Sequence, residues 1–135
     1  MKNKIRLGMV GGGKDAFIGA VHRMAARMDD KYDFVAGCLS STPEKSKISA
    51  KEINLDLNRS YPDFKTMAEE EAKRADGIEV VSIVTPNHMH AKPAIAFLEK
   101  GIHVICDKPM TATMDEAYNL YNAVKKNNLH FLITH

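Results

Sequence analysis

The chain has 135 residues, enough for one domain with a substantial hydrophobic core. Its 19 basic and 17 acidic residues are intermixed and leave a net charge of +2, too small a surplus to attract nucleic acid or an anionic membrane. No apolar run approaches the ~20 residues of a membrane helix, and no signal-peptide core follows Met1-Lys2-Asn3-Lys4. Cys38 and Cys106 both sit inside apolar runs, so a cytoplasmic protein with buried free thiols is expected.

The predicted elements alternate along the chain. Ile5–Val10 reads as a strand running straight into Gly11-Gly12-Gly13. Phe17–Met28 reads as a helix with Ile18, Val21, Ala25 and Met28 on one face. Phe34–Leu39 is a second strand. Thr42, Pro43 and Glu44 then start a helix that ends near Glu52, with Pro at its first position. Ser60-Tyr61 holds at most a very short strand, and Asp63 caps a helix reaching about Arg74. Ile78–Val84 is near-continuously apolar, the pattern of a strand buried on both faces. Thr85-Pro86-Asn87 breaks it, with Asn87 expected to cap a helix from His88 to Lys100, and Gly101 stops that helix. His103–Cys106 is a strand. Thr113–Asn127 is a helix with Met114, Ala117, Leu120, Tyr121 and Val124 inward, and Leu129–Thr134 is the last strand.

Strand alternating with helix implies an α/β fold: a doubly wound parallel sheet with helices on both faces and right-handed crossovers. Such sheets bind ligands at the carboxyl ends of their strands, where the strand order reverses. The unusual chemistry of this chain lies at those ends. Gly11, Gly12 and Gly13 sit between a strand and a helix, where glycine permits a sharp turn and lets main-chain amides approach a pyrophosphate. The third small residue of such a loop is either Ala16 or Gly19, the helix face through Ile18 and Val21 favouring Gly19. At the end of the second strand, Leu39-Ser40-Ser41 carries no acid of the kind that binds the ribose of NAD. Ser40, Ser41 and Lys45 suit a 2′-phosphate, which favours NADP. Taken alone, Ser40 to Pro43 is equally a helix start. His88 and His90 are two apart, do not share a helix face and have no Cys or carboxylate at ligand spacing, so no metal is expected. His90 is expected to line the crevice instead. Asp107-Lys108-Pro109 ends an apolar strand in charge. It is a plain charged turn unless Lys108 meets a substrate hydroxyl.

Together the glycine loop, Ile18-Gly19-Ala20-Val21-His22, Thr85-Pro86-Asn87-His88-Met89-His90 and Gly101–Pro109 resemble the N-terminal part of the glucose-fructose oxidoreductase / inositol dehydrogenase (Gfo/Idh/MocA) family. The resemblance covers nearly the whole chain. It implies a Rossmann-type NAD(P)-binding domain at residues 1–135 and an oxidoreductase acting on a sugar, cyclitol or related polyol. It also implies that the Thr85-Pro86-Asn87 loop with His90 packs on the cofactor, and that Asp107-Lys108-Pro109 brings Lys108 to nicotinamide and substrate as the catalytic residue. Asp107 stands where the family most often has Glu. The loop expanded over Lys14 to Ile18 leaves the amides of Phe17 and Ile18 as the expected pyrophosphate contacts. The family's second, mostly β domain, through which members commonly form homo-oligomers, is absent from this sequence. A fragment is therefore expected, inactive alone, with a truncated gene product or a short binding module as the other readings. A non-catalytic nucleotide-binding or sensor module is the competing function.

Overall fold

The computed structural model describes residues 3–13 and 16–135. Along the chain come β1 (Ile5–Val10), α1 (Phe17–Met28), β2 (Tyr32–Cys38), α2 (Pro43–Glu52), α3 (Phe64–Lys73) and β3 (Val80–Ile83). They are followed by α4 (Ala91–Leu98), β4 (His103–Cys106), α5 (Met114–Asn127) and β5 (Phe131–Ile133). All strands are parallel, in the order β2-β1-β3-β4-β5. One more parallel bridge joins Gly37 to Ser60 on the outer side of β2 and is all that forms of the short strand expected there. With that bridge counted, the sheet has the Rossmann order, reversing direction between β1 and β3.

Neighbouring strand residues point to opposite faces and build two cores. Val10, Val81, Ile83, Val104 and Cys106 meet Met67 of α3, Ala94, Phe97 and Leu98 of α4, and Leu120 of α5. Met9, Leu39 and Val84 meet Ala50 of α2, with Ile18 of α1 packed against them. Phe97 is fully buried, and a cavity at such a position costs about 3–5 kcal/mol.

A buried charge cluster joins the Ser60 bridge to the sheet. The Glu71 carboxylate, 1% exposed, accepts bonds from the Arg59 guanidinium, the Tyr61 hydroxyl and the Ile78 amide. Burial first, and then the Glu71 carboxylate, push the Tyr61 hydroxyl above its ordinary ionisation range.

Several elements depart from expectation for local reasons. β3 starts after Ile78, whose amide bonds Glu71 Oε1 instead of a strand partner, while the Glu79 and Val84 amides at its two margins still bond the Arg6 and Val10 carbonyls. Asn87 does not cap α4. It opens a short 3-10 helix, Asn87–Met89, whose cap is Pro86, and α4 begins only at Ala91. On α5 the core-facing stripe is Leu120 with Ala123 and Val124 against the core, while Met114 and Tyr121 are exposed and Lys125 lies over the Tyr121 ring. On α1 the one fully buried residue is Gly19. Val21 and Met28, expected inward, are exposed.

Candidate dinucleotide site

The glycine loop owes its shape to missing side chains. Gly11 and Gly12 have φ of +85° and +76°, a region that other residues rarely adopt. The Gly11 amide donates to the Cys38 carbonyl at 2.8 Å, fixing the loop to the end of β2. A Cβ on Gly13 would lie 2.5 Å from the Leu39 carbonyl oxygen, and one on Gly19 would lie 2.3 Å from the Gly12 Cα. Gly19 is therefore the small residue that lets α1 close on the loop. Ala16 borders the crevice, its amide bonded to the Gly13 carbonyl at 2.9 Å. α1 has no acidic residue in its first turn and no side-chain cap, so its amide end offers positive potential beside Gly13. Arg23 also supports the loop, a role that no local sequence pattern marks. One helical turn after Gly19, its Nη1 donates to the Gly12 carbonyl at 2.8 Å and supports the loop from behind. Partial burial holds its guanidinium below the usual Arg range. Lys14 and Asp15, part of the expanded loop, lie outside the described residues.

A crevice of about 860 Å³ opens from this loop. Gly11, Gly12 and Gly13 form one side, Ser40, Ser41 and Lys45 another, and Thr85 and Pro86 a third. Its size and mixed lining suit an organic ligand larger than a simple sugar. Some contributors were not expected from the sequence. Met89 adds apolar wall, and Asp63 reaches the rim with both carboxylate oxygens occupied by the Thr66 amide and hydroxyl. Ser46, on the first turns of α2, bonds the Leu39 amide at 3.1 Å and so fixes the Ser40-Ser41 turn. The Thr42 side chain makes no cap bond. Cys38 also borders the crevice, and burial pushes its thiol up to about 11.

Asn87, His90, Asp107, Lys108 and Pro109 do not border this crevice, and Asn87 faces solvent. The Phe17 side chain is 81% exposed and that of Ile18 packs into the core, so what these two residues offer a pyrophosphate is their main-chain amides at the uncapped first turn of α1. His90 is fully buried instead of lining the crevice, and its ring meets the carbonyls of Thr85 and Pro109. His88, exposed, takes the place at the rim. Asp107 turns away from the crevice. Its Oδ1 accepts from the Thr134 hydroxyl at 3.0 Å and lies 3.7 Å from His22 Nε2, while His22 Nδ1 lies 2.7 Å from Ser82 Oγ. Lys108 and Pro109, joined by a cis peptide, stand exposed beyond this anchored end. Among the described residues the Lys108 ammonium has no ion-pair partner.

Comparison with known proteins agrees with this geometry. The model of an oxidoreductase family with an NAD-binding Rossmann fold, GFO_IDH_MocA, matches residues 5–135. The chain belongs to this family. Among Gfo/Idh/MocA relatives, an uncharacterized oxidoreductase, YfiI, from Bacillus subtilis is 42% identical over 90% of this chain and 31% of its own length. The crystal structure of an oxidoreductase from Sinorhizobium meliloti superposes with a TM-score of 0.95 at 57% identity, over 99% of this chain and 37% of that one. An inositol dehydrogenase homolog from Azotobacter vinelandii, complexed with NADH and myo-inositol, gives 0.93 at 40% identity, over 97% and 35%. The chain thus spans about a third of the length of these relatives. Among the described residues no helix is long and apolar enough to cross a membrane.

Proposed function

We propose that residues 1–135 form the cofactor-binding domain of a nicotinamide-dependent oxidoreductase that acts on a CH–OH group of a sugar, cyclitol or related polyol. The observation that carries this reading is the Gly12–Gly19 contact, a cradle with no room for a Cβ beside the open amide end of α1. Such a cradle fits a pyrophosphate held by main-chain amides of the loop and of the first turn of α1. Ser40, Ser41 and Lys45 supply hydroxyls and a cation, and no acidic residue directly follows β2, so they accept the 2′-phosphate of NADP and bond the ribose hydroxyls of NAD, while the Asp63 carboxylate at the same rim is bonded to Thr66. When bound, the nicotinamide supplies hydride chemistry at a substrate carbon. Lys108 supplies the proton chemistry: as an ammonium it donates to the substrate oxygen, and as an amine it takes the hydroxyl proton. The polyol class is supported by the resemblance at Lys108 and by the relative complexed with NADH and myo-inositol. The two unpaired thiols suit a cytoplasmic protein.

Calorimetry on the 135-residue chain tests the reading. Micromolar binding of NADH or NADPH is expected, with NADPH the tighter, and no turnover of polyols by this chain alone. No heat at millimolar dinucleotide would overturn it.

A further inference from the structure

The His90 ring lies between two hydrogen-bond acceptors. Its Nε2 lies 2.7 Å from the Thr85 carbonyl oxygen and its Nδ1 lies 2.7 Å from the Pro109 carbonyl oxygen. A carbonyl oxygen only accepts, and a neutral ring carries one N–H and one lone pair. In either neutral tautomer, one of these contacts sets lone pair against lone pair. With a proton on each nitrogen, both become charge-assisted hydrogen bonds. The ring is fully buried, so bulk water does not take the place of either partner.

The two carbonyls belong to different loops. β3 and β4 pair as far as Ile83 and Cys106, and the Asp107 amide adds one bond to the Ile83 carbonyl. Beyond that point, among the described residues, no main-chain hydrogen bond joins the Thr85-Pro86 turn to the Lys108-Pro109 turn. The His90 ring spans the gap. The charged groups nearest along its neighbours are Lys108 beside Pro109, Lys92 on α4 and His88 on the preceding turn. The Asp107 carboxylate is directed to Thr134 and His22 instead.

We propose that His90 is a positioning residue: its ring, set between the Thr85 and Pro109 carbonyls, ties the turn after β3 to the turn after β4 and thereby fixes the place of Lys108 beside the crevice. This rests on the reading of the crevice as a dinucleotide site. It assigns His90 a different task from lining that site, since the ring acts on the cofactor only through the two carbonyls it holds.

The test uses the 135-residue chain with NADH and with adenosine diphosphate ribose, which has the same pyrophosphate and adenosine but no nicotinamide. His90→Phe removes both ring nitrogens. It is expected to weaken NADH about fivefold or more, the equivalent of one lost hydrogen bond, while adenosine diphosphate ribose stays within about twofold. His90→Gln retains one amide donor and is expected to fall between. Should His90→Phe not fold, His90→Gln decides. Equal losses for the two ligands would overturn the clamp. Failure of the unaltered chain to bind either ligand would overturn the crevice reading itself.

Discussion

The two ends of the candidate site are made in opposite ways. At the glycine loop the function depends on what is missing: two residues at positive φ, and two α-carbons, Gly12 and Gly19, that approach until no Cβ fits. At the end of β4 it depends on what is present. Thr134 and His22 face Asp107, His90 holds Pro109, and Lys108 stands between the two anchored residues. An anion that is recognised by main-chain amides needs close approach, so side chains are obstacles there. A single amine that must meet a single hydroxyl needs a fixed origin, so side chains are the means. One region therefore tolerates no added atoms, and the other tolerates no removed ones.

The largest effect is expected from adding atoms to the first region. Gly19→Val sets a Cβ against backbone that has nowhere to move, so dinucleotide binding should vanish in calorimetry and the melting temperature should drop. Next comes removal from the second. Lys108→Ala, made in the longest reading frame that carries this chain, should lower kcat about 10²–10⁴-fold. A loss confined to binding would place Lys108 outside the proton chemistry. Smaller still is Thr134→Val, which removes one partner of Asp107 and should cost about 1 kcal/mol in urea unfolding with the glycine loop untouched.

A last effect, absent at neutral pH, compares one thiol from each region. Burial pushes Cys38, beside the glycine loop, up to about 11 and Cys106, at the end of β4, up to about 12, from an ordinary value of 9.0. Both therefore keep their protons in the folded state after the unfolded chain has begun to lose them. Stability should be complete below pH 9 and decline from there toward 11 for Cys38 and 12 for Cys106. Urea midpoints measured through that window should flatten partly in Cys38→Ala and Cys106→Ala, the remainder belonging to Tyr61.

What could be read from the sequence follows the same division. β1, α1, α2 and β4 begin and end where expected, because Gly11, Pro43 and Asp107 interrupt periodic runs with residues whose local constraints are strong. The glycine cradle was legible for that reason, down to the preference for Gly19 over Ala16. The β4 end was legible only as an apolar strand that stops at Asp107. The partners of Asp107 come from α1 and from the end of β5, and His90 looked like a crevice residue because nothing local reveals that two carbonyls enclose its ring. α4 begins late for a related reason. Pro86 opens a separate turn, and the His90 ring, held by carbonyls, offers the helix no cap.

β5 has three residues and one pairing neighbour, the circumstances in which an edge strand frays. The Thr134 hydroxyl on Asp107, and the Thr134 amide on the Cys106 carbonyl at 2.9 Å, fasten its far end to the body of the sheet. In hydrogen-exchange terms, that margin should be slower than its length implies, and the Thr134 amide should lose its protection when the latch to Asp107 is cut.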